Sequence, residues 1–595
     1  MSDKNIQKNK TISISEIIWV QELQKLISGD VVFDEATILS HSTDWSLFSI
    51  RPQIIVFPKD ALDISNIISV ISRYKKEFPE LSITARAAGT DMTGGPLNTS
   101  IIMDTTRYMQ GILSVKKTTA FPDQQSFYGH VYSLSGLARV LPGTYYRDFE
   151  KETLAQGFIL PCYPASKDIC AVGGMVANNG AGEKSLKYGQ NKDFVKELKV
   201  ILSDGNEYTI LPLSFVNLQT KMRQNDFEGN VYTEIYTLIK NNWNIVQQKK
   251  PKTSKNASGY YLWDVVQSNS IESFESGIGF FDLTKLIVGA QGTTGLITEI
   301  TYGLVDTQPA HDLLVVYVRD LGVVPELVKR LMRFDIEMLE MYDDNTFKIG
   351  MKFFKEFIKD KGFFGAIKYT VRFFPEVWMA ITKGIPKLIV LAEFTGNDEI
   401  ILHQEMKKAE SSLVDLDVAV RMVTRDAEEE KFWDFRHDSF KILTEHSMET
   451  RESGHGTRTV PFIDDIAVNP EYLPEYLPKL IHVLDEYKLL YTIAGHLGNG
   501  NFHVIPLMRL DEIGNGDTIL EISDKVYDLA NQYQGSFSAE HNDGIIRTPY
   551  LQKQFGDEIV GMFQSVKNIF DPLNIFNPGK KVGGTKEDIR KNIIV

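Results

Sequence analysis

The stretch Arg86-Ala-Ala-Gly-Thr-Asp-Met-Thr-Gly-Gly95 decides how the fold is interpreted. It lies between two strand-like runs, LSITA before it and SIIMD after it. Its small side chains let backbone N–H groups approach an anion closely, and a loop of such donors suits a pyrophosphate. Two similar clusters follow, AVGGMVANNGAG at 171–182 and GAQGTTG at 289–295. Together the three loops predict a large phosphate-bearing cofactor bound in the first half of the chain.

Two common nucleotide-binding motifs are excluded. None of the loops reads as Gly-x-Gly-x-x-Gly opening a helix directly after the first strand of a βαβ unit, so a Rossmann dinucleotide site is not expected. The string Gly180-Ala-Gly-Glu-Lys-Ser185 resembles the tail of a P-loop. Glu183 separates its glycine from its lysine, which excludes a nucleoside triphosphatase.

The composition limits the class of protein. A chain of 595 residues is too long for one compact core and predicts two or three domains. The net charge of −14 disfavours nucleic acid as a partner, because a phosphate backbone needs a broad basic surface. The two cysteines, Cys162 and Cys170, are too few for a disulfide framework, a thiolate zinc site or an iron–sulfur cluster. With no signal-peptide pattern at the N-terminus, the chain is expected to be cytoplasmic.

Two histidines and a Glu-His dipeptide form the second informative pattern. In Gly495-His-Leu-Gly-Asn-Gly-Asn-Phe-His503, two imidazoles stand seven residues apart across a glycine-rich turn that follows the apolar run LLYTIA. Glu540-His541 comes about forty residues later. Two histidines and one glutamate make a three-ligand site for a divalent metal that leaves a position open for substrate. The alternative is that these histidines are ordinary surface or hydrogen-bonded residues.

One basic, aromatic segment stands out within this acidic chain. Between Asn345 and Lys387 there are nine basic residues against three acidic ones, interleaved with three Phe-Phe pairs and a tryptophan. Such a stretch is typical of an amphipathic surface that docks on anionic lipid or an acidic partner. The alternative is that the aromatic rings pack into their own domain while the lysines are solvated.

The loops and the terminal string DPLNIFNPGKK resemble the FAD-binding segments of the vanillyl-alcohol oxidase and p-cresol methylhydroxylase superfamily. The resemblance implies an α+β fold, in which a two-lobed FAD-binding domain of the p-cresol methylhydroxylase type joins an α+β substrate (cap) domain with an antiparallel sheet, and the C-terminal segment returns to the FAD domain. The first loop has no histidine to tether the flavin, which implies noncovalent FAD. The third loop departs from the family pattern at Ala290 and Gln291. The implied FAD-binding residues are Arg86, Gly89, Thr90, Asp91, Gly94, Gly174, Asn178, Gly180, Gly182, Gly292, Thr293, Ile297 and Asn577.

The histidine strings resemble the D-2-hydroxy-acid dehydrogenase branch of that superfamily, which includes D-lactate, D-2-hydroxyglutarate and glycolate dehydrogenases. The signature G-H-x-G-D-G-N-x-H matches except at Asn499, and E-H-G matches except at Asn542. The resemblance implies that His496, His503 and Glu540 bind the metal and that His541 is the catalytic base. Zinc is the first choice for this ligand set, with manganese or iron as alternatives.

A carboxylate substrate also needs a cationic clamp, for which a guanidinium is geometrically suited. Trp433-Asp-Phe-Arg436 resembles the W-x-x-R of the branch, where the arginine binds the substrate carboxylate. Arg547 is a weaker candidate, and a helix-surface role for Arg436 is the alternative.

The chain is therefore predicted to comprise four parts: an N-terminal helical segment at 1–45, the FAD-binding domain at 46–304 with an irregular insertion at about 225–280, the cap domain at 305–540 with a basic aromatic insertion at about 345–390, and a C-terminal segment at 541–595 that completes the flavin site.

The predicted activity is oxidation of a small D-2-hydroxy acid, with D-lactate favoured because Ile505 stands where hydroxyglutarate-specific relatives often have a polar residue. D-2-hydroxyglutarate or glycolate dehydrogenase, an oxygen-using flavin oxidase, a metal-dependent hydrolase and a non-catalytic flavoprotein subunit are the alternatives. Because the sequence has no Cys-x-x-Cys-x-x-Cys, electrons are expected to pass to a quinone, a cytochrome or a separate iron–sulfur protein. The basic aromatic segment is the expected site of any peripheral contact with the inner face of the membrane.

Overall fold

The computed structural model describes residues 14, 17–119, 125–127, 130–346, 348, 384–424, 428–429, 432–433, 436, 457–510 and 514–594. Most of the basic aromatic segment lies outside these ranges, so its predicted amphipathic surface stays a prediction. At its described ends, the ammonium groups of Lys348 and Lys387 lie 2.9 Å and 3.2 Å from the carboxylate of Asp344. In the described part of the chain, no helix combines the length and the apolarity that crossing a membrane requires.

The first lobe is a small sheet covered by helices. Its strands are ordered β1-β2-β4-β3, with β4 parallel to both β2 and β3. The third helix begins at the side-chain cap of Asp60 and buries Ile64, Ile67, Ile68 and Ile71 at helical spacing against the sheet. The elements are α1 (Ile18–Leu26), β1 (Asp30–Val32), α2 (Glu35–His41), β2 (Ile54–Phe57), α3 (Ala61–Tyr74), β3 (Ile83–Arg86) and β4 (Ile101–Asp104).

The second lobe is built on an antiparallel sheet of six strands. Its order is β11-β10-β14-β8-β5, and β9 pairs with the far end of β14. The elements are β5 (Ile112–Lys117), β6 (Gln125–Phe127), β7 (His130–Tyr132), β8 (Gly136–Val140), α4 (Tyr146–Ala155), β9 (Phe158–Ile159), α5 (Val172–Asn178), α6 (Ser185–Tyr188), α7 (Asn191–Phe194), β10 (Val195–Ile201), β11 (Glu207–Ile210) and β14 (Leu296–Asp306).

The insertion at about 225–280 is helical, so the prediction that it is irregular was wrong. Its main helix buries Val231, Tyr232, Ile235 and Ile239 at a spacing of three and four residues, and Asp226 caps its N-terminus. The polar residues between these positions obscured that period in the sequence. The elements of this region are α8 (Phe215–Met222), α9 (Phe227–Asn241), α10 (Trp243–Gln248), α11 (Leu262–Val265), β12 (Val266–Gln267), α12 (Ile271–Glu275) and β13 (Phe280–Phe281).

The cap domain is an antiparallel sheet of eight strands in the order β18-β15-β17-β16-β21-β22-β19, with β20 paired to β22. Alternate residues of its strands face opposite sides of the sheet: Leu314 and Val316 of β15 belong to the larger apolar cluster, and Leu313 and Val315 belong to a smaller one. The elements are β15 (Ala310–Val318), α13 (Val324–Leu331), β16 (Ile336–Asp343), β17 (Leu388–Gly396), α14 (Glu399–Ser411), β18 (Val418–Val423), β19 (Thr457–Thr459), β20 (Ile466–Ala467), α15 (Leu473–Glu486), β21 (Leu490–His496), β22 (Asn501–Arg509) and α16 (Asn515–Gln532).

The C-terminal segment returns to the first lobe, as predicted. Ile83 of β3 donates its backbone N–H to the carbonyl of Ile575, and Asn577 donates to the carbonyl of Ile83. The chain thereby adds an extended segment beside β3, at the base of the first glycine-rich loop. The helices of this segment are α17 (Gly544–Arg547), α18 (Leu551–Phe555), α19 (Asp557–Phe570) and α20 (Lys586–Asn592).

Candidate active site

The three glycine-rich loops and the histidine strings line one cavity of about 720 Å³. The first loop follows β3, the second contains α5, and the third precedes β14. The cap domain contributes the ends of β21 and β22. The predicted residues that line this cavity are Arg86, Gly89, Thr90, Asp91, Gly174, Asn178, Gly180, Gly292, Ile297, Arg436, His496, His503, Glu540 and His541.

Four of the predicted cofactor residues do not line the cavity: Gly94, Gly182, Thr293 and Asn577. Asn577 joins two loops, because its amide donates to the carbonyls of Gly95 and Gln291 at 3.0 Å and 2.7 Å. A Cβ on Gly182 would lie 2.1 Å from the carbonyl oxygen of Tyr163, so that position tolerates only glycine without a backbone shift. These contacts support the loops that form the wall.

The described part of the cavity fits a cofactor that carries a diphosphate. The guanidinium of Arg86 is buried, and its Nη2 donates to the carbonyl of Thr43 at 2.9 Å. Its Nη1 has no hydrogen-bond partner among the described residues. Gly89 and Gly292 have φ angles of +71° and +68°, which glycine adopts readily. A buried guanidinium nitrogen without a hydrogen-bond partner in the described part of the chain, beside loops without bulky side chains, can donate to an anionic ligand.

His496, His503 and Glu540 meet at one point of the cavity wall. His496 ends β21 and His503 lies on β22, so the tight turn between these paired strands returns both rings to the same place. The two Nε2 atoms are 3.3 Å apart, and Glu540 Oε1 lies 3.2 Å from that of His496 and 3.3 Å from that of His503. Three potential donor atoms therefore form a nearly equilateral triangle.

The triangle has the size of one face of a coordination tetrahedron. Donor atoms placed about 2.0–2.1 Å from a tetrahedral cation are separated from one another by about 3.3 Å. Burial lowers the pKa of His503, which favours the neutral imidazole that a metal needs. Burial opposes the ionisation of Glu540, yet the charges of Lys255 and His496 hold the pKa of its carboxyl well below the usual range. The donor set fits a divalent cation.

Both histidines of the triangle are held from behind. His496 Nδ1 lies 2.5 Å from Glu340 Oε1, and His503 Nδ1 lies 3.0 Å from the backbone oxygen of Asp464. Hydrogen bonds of this kind fix the tautomer and ring orientation of metal-binding histidines. Asn499 is not part of this support, because its amide donates to Ser254 Oγ at 2.9 Å. The departure from the family signature at Asn499 therefore leaves the ring contacts in place.

His541 lies beside the triangle, and its ring stacks on His503 with centroids 5.1 Å apart. Its Nδ1 is 2.7 Å from Asp464 Oδ2, which leaves Nε2 as its other hydrogen-bonding atom. Burial opposes the protonated form, but the charges of Asp464 and Asp465 outweigh it and raise the pKa of His541 to about 10. With a pKa of about 10, the imidazole holds a proton at neutral pH.

The two candidate substrate clamps have different surroundings. Arg436 lines the cavity and donates to Glu340 Oε2 from Nε at 3.2 Å and from Nη2 at 3.0 Å. Arg547 is fully buried behind the wall, where it pairs with Asp464. The position of Arg547 explains why it is the weaker candidate, since a substrate in the cavity would not reach it.

Two family models match this chain. The model of the FAD binding domain matches residues 52–210, and the model of the C-terminal domain of FAD linked oxidases matches residues 308–581. The chain therefore contains the FAD-binding domain and the C-terminal domain of FAD-linked oxidases. It is 25% identical over 578 residues to D-2-hydroxyglutarate dehydrogenase of Escherichia coli K12, covering 94% of this chain and 51% of that protein. It is 23% identical over 588 residues to glycolate oxidase subunit GlcD of Bacillus subtilis 168, covering 97% and 98%.

Solved structures show the same fold. 4-Ethylphenol oxidase from Gulosibacter chungangensis matches with a TM-score of 0.62 and 13% identity, covering 96% of this chain and 97% of that one. p-Cresol methylhydroxylase matches with a TM-score of 0.59 and 13% identity, covering 95% and 96%. The prediction of a p-cresol methylhydroxylase-type α+β fold is confirmed. The chain spans about half the length of three of the D-2-hydroxyglutarate dehydrogenases that it matches, those of Escherichia coli, Pantoea ananatis and Pseudomonas putida.

Four residues that organise the site were not identified from the sequence: Lys255, Glu340, Asp464 and Asp465. Glu340 is a carboxylate inside the apolar strand IEMLEMYD, and Asp464-Asp465 follows the apolar run VPFI, so an acidic residue in an apolar context was the available signal. Asp465 Oδ2 accepts from the backbone N–H groups of Glu540 and His541 at 2.9 Å and 2.7 Å. Lys255 lies in a polar stretch and gave no signal.

Proposed function

We propose that this protein is an FAD-dependent dehydrogenase that oxidises a small D-2-hydroxy acid to the 2-oxo acid beside a divalent metal ion. The observation that carries the proposal is the triangle of His496 Nε2, His503 Nε2 and Glu540 Oε1 on the wall of the cavity that the glycine-rich loops also line. A flavin site alone is compatible with many substrates. The triangle adds a means of binding the hydroxyl group of an α-hydroxy acid.

The residues that would hold the two cofactors follow from the cavity. The lining residues of the three loops, with Arg86, would bind FAD noncovalently, while His496, His503 and Glu540 would bind the cation, with zinc as first choice and manganese or iron as alternatives. When bound, FAD supplies the hydride acceptor, and the cation polarises the substrate hydroxyl and lowers the pKa of neighbouring His541 by charge repulsion.

His541 is the proposed proton acceptor. Asp464 holds its Nδ1 at 2.7 Å, which fixes the ring so that Nε2 is the atom that exchanges the proton. Asp464 is itself ionised, because the charges of His541 and Arg547 hold the pKa of its carboxyl below the usual range in spite of burial. The carboxylate therefore stabilises the imidazolium that forms when His541 takes the hydroxyl proton.

Arg436 is the proposed clamp for the substrate carboxylate. Glu340 fixes its guanidinium through two hydrogen bonds and also holds His496 Nδ1 at 2.5 Å, so one carboxylate links the clamp to the metal site. Arg436 and the metal site would hold the substrate at two points, and this brings the reacting C–H bond to a defined position.

The proposed substrate is small, and D-lactate is favoured over D-2-hydroxyglutarate or glycolate. Apart from the histidines, the residues of β21 and β22 that line the cavity are Thr492, Ala494 and Ile505, all of them neutral. D-2-hydroxyglutarate has a second carboxylate, and β21 and β22 offer no lysine or arginine at this wall to pair with it. Burying an unpaired charge is costly. The methyl group of lactate suits an apolar wall better.

Anaerobic titration of the yellow protein tests this function. D-lactate, L-lactate, D-2-hydroxyglutarate and glycolate are added separately while the flavin absorbance is followed. D-lactate is expected to bleach the flavin at the lowest concentration, and L-lactate is expected to leave it oxidised. Dialysis against a chelator should leave the colour and abolish the bleaching. A colourless protein, or a flavin that none of the acids reduces, would contradict the proposal.

The proposed electron acceptor is a quinone, a cytochrome or a separate iron–sulfur protein, and the segment at 345–390 is the proposed point of membrane contact. Deleting that segment should lower liposome binding and quinone reduction while bleaching by substrate is retained. Hydrogen peroxide produced in air in proportion to the substrate oxidised would instead indicate an oxygen-using oxidase.

A further inference from the structure

Lys255 lies in the part of the chain that neither family model covers, between residues 210 and 308. Its side chain is completely buried. A buried ammonium is costly unless it is paired, so its partner must be specific. That partner is Glu540, the carboxylate of the donor triangle: Lys255 Nζ lies 2.8 Å from Glu540 Oε2.

The two oxygens of Glu540 have different surroundings. Oε1 faces the two histidine Nε2 atoms at 3.2 Å and 3.3 Å, whereas Oε2 faces Lys255. The same ammonium donates to Asn501 Oδ1 at 3.3 Å. The carboxylate is therefore oriented with one oxygen in the triangle and the other turned away from it.

The backbone around Lys255 is anchored on both sides. Thr253 Oγ1 donates to the carbonyl of Lys255 at 2.7 Å, and the N–H of Ala257 donates to the carbonyl of Ser538 at 2.8 Å. Ser538 stands two residues before Glu540, so the lysine and its partner belong to hydrogen-bonded segments. These bonds hold the backbone of the lysine segment beside the segment that carries Glu540.

We propose that Lys255 is a positioning residue of the metal centre, which holds Glu540 as a one-oxygen ligand and competes with the bound cation for the charge of that carboxylate. The inference rests on the proposed metal site. Two like charges on the same carboxylate repel, so the lysine lowers the affinity for the cation. A carboxylate that also pairs with an ammonium would donate less negative charge to the cation. The cation would therefore keep more of its positive charge, which polarises the substrate oxygen.

The test measures divalent cation affinity in the full-length protein. Lys255→Met removes the charge and keeps an unbranched side chain of similar length. Zn²⁺ and Mn²⁺ are titrated in competition with a chromophoric chelator, and the variant is expected to bind each about 10-fold more tightly than the unaltered protein. Its melting temperature should also rise more on addition of the metal. A lysine with only a structural role would leave the affinity unchanged or weaken it.

Lys581→Met is the matched control. Lys581 is also fully buried, pairs with Asp543 at 2.8 Å and donates to the carbonyls of Ala257 and Gly259 in the same segment. The Lys581→Met variant should therefore have a lower free energy of unfolding but an unchanged affinity for the cation.

Equal or weaker cation binding by Lys255→Met, or an equal gain in Lys581→Met, would overturn the inference and leave the proposed function standing. If Lys255→Met does not fold, X-ray absorption on the zinc-loaded unaltered protein decides. A single carboxylate oxygen on the zinc supports the inference, and two oxygens from one carboxylate refute it. An unaltered protein that binds neither cation overturns both the inference and the metal site on which it rests.

Discussion

Replacing Asp464 by asparagine tests the proposed catalytic base through its support. Asp464 lies at the centre of a buried chain of charges, in which Oδ2 holds His541 Nδ1 at 2.7 Å and Oδ1 holds the guanidinium of Arg547. Asparagine has nearly the same volume but no charge. The substitution therefore removes the electrostatic contacts and leaves the packing in place.

The loss of stability follows from the burial of the pair. The side chains of Asp464 and Arg547 are both fully buried, and Arg547 Nε already lacks a hydrogen-bond partner among the described residues. Removing one partner of a buried ion pair costs about 3–5 kcal/mol, because the other charge is left uncompensated. The free energy of unfolding of Asp464→Asn should fall by about that amount.

The rate at which substrate reduces the flavin should also fall in Asp464→Asn. An asparagine amide can turn its NH2 group toward His541, which favours the wrong tautomer, and it no longer stabilises the imidazolium. Loss of a positioned general base lowers the rate about 10²–10⁴-fold. Anaerobic stopped-flow mixing with substrate gives the rate of flavin bleaching, and urea unfolding gives the stability.

Glu35→Gln is the control, because it breaks the exposed Arg51–Glu35 pair, and an exposed ion pair contributes little to stability. It should leave the bleaching rate unchanged. If Asp464→Asn bleaches within twofold of the unaltered protein, His541 does not act as the base through this carboxylate. If the free energy of unfolding of Asp464→Asn is unchanged, the buried Asp464–Arg547 pair does not contribute the expected amount of about 3–5 kcal/mol.

Three further substitutions test other parts of the site. Gly182→Ala should lose most of its bound flavin, because the added Cβ would lie 2.1 Å from the carbonyl oxygen of Tyr163. The ratio of flavin to protein absorbance measures this loss. Gly561→Ala is the control and should keep the flavin, because its Cβ meets open space on α19. Arg436→Lys should raise the KM for the hydroxy acid about 10-fold or more, since an ammonium cannot reproduce the planar two-point contact of a guanidinium; an unchanged KM would exclude it as the clamp. Burial raises the pKa of Asp44 from 3.8 to about 7, so its contribution to stability is complete below about pH 4 and is lost as the pH rises through about 7. The melting temperature of the flavin-free protein should therefore fall from pH 5 to pH 8, and Asp44→Asn should fall less; an equal fall would exclude this carboxyl as the cause.

The sequence allowed the fold and the local motifs to be predicted because glycine loops and histidine spacing are local signals. His496 and His503 could be placed together from the turn between them, since paired strands return to the same point. Contacts between distant segments gave no such signal. Lys255 reaches a carboxylate 285 positions away in the chain, and Glu340 reaches His496 across 156 positions.

The helical insertion at about 225–280 shows a second reason why local sequence patterns did not predict the whole structure. The apolar residues of α9 follow the helical period, but the polar residues between them made the stretch read as irregular. Burial against the second lobe, which no local pattern reveals, is what stabilises this helix.

The return of the C-terminal segment has a consequence for biosynthesis. The side chains of Thr84 and Asn577 are hydrogen-bonded although they stand 493 positions apart, and the extended segment at 575–577 completes the base of the first loop. During translation, this contact can form only once Asn577 has left the ribosome, 493 positions after Thr84. Stable capture of the flavin is therefore expected only after the segment at 575–577 has been synthesised and has paired with β3.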